Sequence, residues 1–114
     1  MLSDSIEILL DRALQARAAQ LEDFPALDGP ETMRFDGAFR LFNGFLEGCP
    51  GLAVDLYGCT LVLYDYAGDQ PAAQSTLARA VHHLRARLAW VQTVIVKQRE
   101  AARAEKRGGL VVYG

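Results

Sequence analysis

The chain has 114 residues, 51% apolar and 23% charged, with a formal net charge of −2. That length suits one compact domain, and the composition is that of a globular protein rather than a disordered or collagen-like one. No stretch approaches the ~18 apolar residues of a membrane span, and the opening MLSDSIEILL carries acids where a secretory signal carries bases. A cytoplasmic protein with no membrane partner is expected.

The charge is unevenly spread. Residues 1–70 hold 12 acids and 4 bases, and residues 71–114 hold 2 acids and 8 bases. A basic half of this kind attracts phosphate backbones or an acidic partner, unless the two halves neutralise each other once folded.

Asp4 followed by Glu7 has capping-box spacing. Ile6, Leu9, Leu10, Ala13, Leu14 and Leu21 then recur at helical intervals, which predicts an amphipathic helix over residues 5–21. DFPALDGPET breaks the period with two prolines and a glycine and reads as a loop. Residues 1–30 are therefore expected to be a helix and linker, and residues 31–114 the main domain. Asp36-Gly37 suggests a turn and residues 38–42 a strand, with Phe35, Phe39, Leu41 and Phe45 toward one buried side. Pro50-Gly51 has the residues of a type II turn, proline fixing φ and glycine accepting φ > 0. Residues 52–57 alternate, with Leu52, Val54 and Leu56 on one face and Ala53, Asp55 and Tyr57 on the other. Gly58-Cys59 is short enough for a hairpin turn into a strand over residues 60–66.

AGDQP closes the hairpin, and Pro71 suits the first turn of a helix. Leu77, Ala80, Val81, Leu84, Leu88 and Val91 make one stripe of a helix over residues 72–91. Residues 93–96 read as a short strand, KQREAARAEKR as a charged passage, and LVVYG after Gly108-Gly109 as a last strand. The expected architecture is α+β: a small mixed or antiparallel sheet of four or five strands, with a hairpin and two packed helices.

Catalytic signals are weak. His82 and His83 are adjacent, so a helix points them about 100° apart and they cannot share a ligand. Cys49 and Cys59 form no CxxC and lack an activating base, and are expected to be reduced thiols. Asp55 is placed to hold a backbone amide or an arginine such as Arg40, and Glu47 to cap or solvate a turn. Gly44, Gly48 and Gly51 lead into a strand, whereas a phosphate-cradling loop leads into a helix N-terminus. No catalytic, cofactor or metal residue is expected. The best binding signal is basic: Arg40, Arg85, Lys97, Arg99 and Arg103 are candidates for RNA phosphates.

Within residues 40–66, RLFNGFLEGCPGLAVDLYGCTLVLYDY resembles a segment of class I S-adenosylmethionine-dependent ribosomal RNA methyltransferases that modify carbon 5 of a cytosine. The shared pattern runs R-L-x-N-G-E-x-D-G-L-P-G-L-x-V-D-x-Y-G. Arg40, Leu41, Asn43, Gly44, Gly48, Pro50, Gly51, Leu52, Val54, Asp55, Tyr57 and Gly58 match it in place. Phe45, Cys49 and Leu56 depart from it; the last stands where a basic side chain is common. The resemblance implies an N-terminal accessory domain that presents RNA and precedes the catalytic domain. It implies S-adenosylmethionine in the parent protein but not in this fragment, with ribosomal RNA and its own C-terminal catalytic domain as partners. The rival expectation is a protein-interaction module that packs on that catalytic domain or forms a homodimer.

Overall fold

The computed structural model describes residues 5–19, 21, 39–66, 71–98 and 109–114. Its first helix, α1 (Ile6–Ala16), takes Ser5 as N-cap: the serine is extended, and the Ile8 N–H donates to its Oγ at 3.4 Å. The cap therefore falls one residue later than the Asp4–Glu7 spacing suggests, and Glu7 instead accepts from Arg79 on another helix. Asp4, the loop of residues 22–30, Asp36-Gly37, the segment 67–70 and Gly108 lie outside the described residues.

Five strands follow: β1 (Phe39–Asn43), β2 (Leu52–Tyr57), β3 (Thr60–Asp65), β4 (Thr93–Gln98) and β5 (Leu110–Tyr113). They form one sheet in the order β1-β2-β3-β4-β5. All neighbours are antiparallel except β3 and β4, which are parallel. A parallel pair needs a crossover, and it is supplied by the long helix, α3 (Pro71–Arg87). A single helical turn, α2 (Gly44–Glu47), links β1 to β2. The α+β class with a mixed sheet and hairpin is as the sequence suggests; the short α2 is an addition.

The strands of the hairpin lie where alternation places them, and Tyr57 pairs with Thr60 across a two-residue turn. Gly58 there has φ +57°, while no described non-glycine residue has positive φ; that is the type II′ pattern, whose twist matches the strands. Gly51 has φ +99° and the Leu52 N–H donates to Cys49 O at 3.2 Å, the hydrogen bond of a type II turn.

β1 departs from the sequence reading. Arg40 pairs with Asp55 and Phe42 with Val54, so the register slips at Leu41. A bulge of this kind breaks strict alternation, and Leu41 and Phe42 are both fully buried. Phe45, expected in the core, is instead exposed on α2, where its ring meets Tyr66 edge-on at 5.5 Å.

One face of the sheet carries the main core. Val54, Leu56, Leu61, Leu63 and Val94 meet Leu9 and Leu10 of α1 and Ala80 and Leu84 of α3. α3 ends at Arg87, short of the predicted 91, yet Leu88 and Val91 remain buried because a turn follows, with the Val91 N–H donating to Leu88 O at 3.0 Å. Among the described residues the opposite face holds a small cluster of Ala53, Val62 and Tyr64 with Ile95.

The uneven charge of the sequence closes on itself between the two long helices. Arg79 of α3 grips Glu7 of α1 through two hydrogen bonds of 2.9 and 2.5 Å. Asp11 accepts from Arg87 at 3.1 Å and lies 2.8 Å from His83 Nε2. The Arg79 hydrogen bonds hold the Glu7 carboxyl down to about 2 from its ordinary 4.5, and His83 does the same in direction for Asp11. A carboxylate depressed by folding stabilises above its unfolded pKa and loses that contribution as pH falls through its folded one. The melting temperature should therefore hold down to about pH 4.5 and fall toward pH 2, with a shallower fall in Glu7→Gln. An identical acid limb in that variant would show that the pair contributes nothing.

Candidate nucleic-acid interface

The segment 40–58 is built by backbone demands. Asn43 is the N-cap of α2, and Glu47 reaches back to accept from the Asn43 N–H at 3.0 Å. Arg17, at the end of α1, donates to Glu47 at 2.6 and 3.1 Å and to Arg40 O at 2.9 Å. Those bonds lower the Glu47 pKa and tie α1 to the β1–α2 corner. Gly48 caps α2 in the left-handed region with φ +106°. Asp55 is buried and held by Arg40, whose Nη2 lies 3.3 Å from Asp55 Oδ2. Tyr57 stands half-exposed at the end of β2.

The candidate cations fall on both sides of the sheet. Arg40 and Lys97 flank Tyr64 on the thinly covered face, each 5.9 Å from its ring centroid. Arg85 is on the other side, on α3, with its guanidinium carbon 3.4 Å from the Tyr113 centroid. Arg99 and Arg103 lie outside the described residues. Among the described arginines, Arg17, Arg40, Arg79 and Arg87 all have carboxylate partners. Arg85 and Lys97 have none among the described residues, so their charge is the most available to an external anion.

Behind Arg85 lies a feature that no pattern in the chain announces. A groove of about 480 Å³ runs between α3 and the β4–β5 edge, walled by Leu77, Val81, Val96, Leu110 and Val112 with Gln74, His82 and Gln98. Leu77 and Val81, expected as core, are only partly buried because they form this wall. β5 itself is exposed along its whole length, Val111 to 61%. A smaller hollow of about 200 Å³ lies by Cys49, Pro50 and Asp65 at the start of α3. Burial pushes the Cys49 thiol up, the opposite of activation. Among the described residues no cluster of His, Cys, Asp or Glu could hold a metal ion, and no helix is long and apolar enough to cross a membrane.

No family model matches the sequence, and no curated protein does. One solved structure, described as "a putative sam-dependent methyltransferase" from Streptococcus mutans, matches all of this chain with a TM-score of 0.61 at 16% identity. What the two share is a fold. This chain spans 26% of the length of that protein. The likeness extends over every element from α1 to β5, so the α+β unit recurs as one quarter of a longer polypeptide.

Proposed function

We propose that this chain is the substrate-positioning domain of an S-adenosylmethionine-dependent RNA methyltransferase acting on ribosomal RNA, and does no chemistry itself. The observation that carries the reading is the recurrence of the whole unit as a quarter of a protein described as "a putative sam-dependent methyltransferase". The resemblance of residues 40–58 to the ribosomal RNA methyltransferases supplies the substrate class. Two cations without carboxylate partners among the described residues, Lys97 and Arg85, give RNA phosphates something to meet.

The methyl donor does not fit the described residues. Gly48 and Gly51 lead into β2 and Gly58 into β3, so none of these turns delivers backbone N–H groups at the start of a long helix. S-adenosylmethionine belongs, in this reading, to a catalytic domain elsewhere in the parent protein. RNA binding should be weak and fall steeply with salt, as phosphate contacts release counterions. Reversing Lys97, Arg99 and Arg103 to glutamate should lower affinity at least ~10-fold at low salt; unchanged binding by that triple variant removes the reading.

A second reading, a module that packs on its own catalytic domain or on a second copy, is favoured by the exposed apolar β5 and the groove beside it. It predicts self-association that light scattering finds unchanged across salt.

A further inference from the structure

Arg85 and Gln98 stand at opposite ends of the α3–β5 groove, and their circumstances differ from those of their neighbours. Arg85 is not neutralised by a carboxylate among the described residues; it lies flat on Tyr113. Stacking fixes the guanidinium plane and leaves its N–H edge free to donate. Gln98, the last residue of β4, carries a buried Oε1 with no hydrogen-bond partner among the described residues. A buried amide oxygen without a donor is a destabilising feature, and because the half-buried Gln98 side chain lines the groove, a turn of its amide brings that oxygen to a ligand there. Leu77, Val81, Val96, Leu110 and Val112 make most of the remaining wall apolar, with Gln74 and His82 also on it.

The groove therefore asks for a particular shape. It wants an apolar body, an N–H donor at one end and an anionic group at the other. Val94, which pairs with Tyr113, is four residues from Gln98 along β4, or about 13 Å at the rise of a strand. A bare phosphate is too short to join ends so far apart, and an acyl chain brings no donor for Gln98. A nucleotide has all three parts: a flat ring, ring or exocyclic N–H groups, and a phosphate. The volume of about 480 Å³ lies in the range of small-molecule sites. Single-stranded RNA offers such bases unstacked and available, which is how proteins commonly read it.

Resting on the RNA-positioning reading above, we infer that the α3–β5 groove receives one unpaired base of single-stranded RNA. Its N–H donates to Gln98 Oε1, Leu77, Val81 and Val112 pack on the ring, and Arg85 meets its phosphate. The inference names what the domain would hold still: one nucleotide, gripped by its edge and its phosphate.

The test is a backbone amide NMR titration of the chain with adenosine monophosphate, with ribose 5-phosphate, and with a short single-stranded oligoribonucleotide. Adenosine monophosphate and the oligonucleotide should shift the amides of Leu77, Val81, Leu110 and Val112 saturably, while ribose 5-phosphate leaves them in place. Gln98→Leu should weaken adenosine monophosphate about tenfold, and Arg85→Gln should weaken both nucleotide ligands with a reduced salt dependence. Neither change threatens the fold, since one makes an apolar wall more apolar and the other alters an exposed side chain; matching amide dispersion checks this. Equal shifts from ribose 5-phosphate overturn the base slot, as do shifts that track protein concentration, which would mean a second copy fills the groove. RNA binding that perturbs only the Arg40–Tyr64–Lys97 face overturns the slot while leaving the RNA-positioning reading standing. Absence of any oligonucleotide binding overturns both.

Discussion

Gly44→Ala should leave no stable folded chain at ambient temperature. A β-carbon at that position would sit 2.1 Å from Cys49 O and 2.2 Å from Leu52 O. Both are backbone atoms, and the Cys49 carbonyl is already committed. Cys49 O accepts from the Leu52 N–H in the type II turn, and Gly44 O itself accepts from the Cys49 N–H at 2.9 Å. Relief would mean opening α2 and the turn together, so a cost of several kcal/mol, above the ~4 that marks exceptional substitutions, is expected. Gly48→Ala is the milder comparison. Its β-carbon meets a flexible Leu9 side chain at 2.9 Å, and its strain comes from a φ of +106°. Urea melts of the two variants decide the point; a Gly44→Ala midpoint equal to that of the parent would show that the corner is looser than its geometry.

Leu84→Asp should be comparably destructive, and Leu77→Asp much less so. Leu84 is wholly buried in the last turn of α3, in the core cluster it shares with the sheet. A carboxylate there loses water without gaining a partner, in addition to the ~1.5–3 kcal/mol of apolar burial removed with leucine. Leu77 belongs to the same stripe but lines the open groove, where a carboxylate stays hydrated. Thermal melts of both variants separate the inner and outer parts of the helix. Equal losses would mean that the groove is closed in solution.

The hairpin was the most legible part of the chain, because its glycines answer demands that few other residues meet. Gly51 and Gly58 must accept positive φ, and the residues between them alternate without interruption over six positions. α3 was legible in its stripe but not in its depth: spacing identifies one face of a helix, yet cannot say that Leu77 and Val81 border a groove while Leu84 lies beneath. β1 misled where the bulge at Leu41 changes which side chains point inward, a slip that no side-chain pattern announces. The pairing of Asp55 with Arg40 could be anticipated from the strand face it occupies. The groove could not, because Gln98 and Arg85 come together only through the crossover that places α3 against the β4–β5 edge. Charge was half legible: the imbalance between halves is plain in the sequence, but its internal cancellation between α1 and α3 depends on packing.

The order of the strands in the sheet is also their order along the chain. Assembly can thus proceed by accretion, each new strand finding its neighbour already in place; the widest interval between neighbouring strands is the β3–β4 crossover, which the helix itself shortens. The exception is the first helix, whose partners Arg79, His83 and Arg87 lie 72 to 76 positions away. Among the described residues it is the longest-range commitment in the architecture, and the sheet's main face remains half-roofed until it arrives.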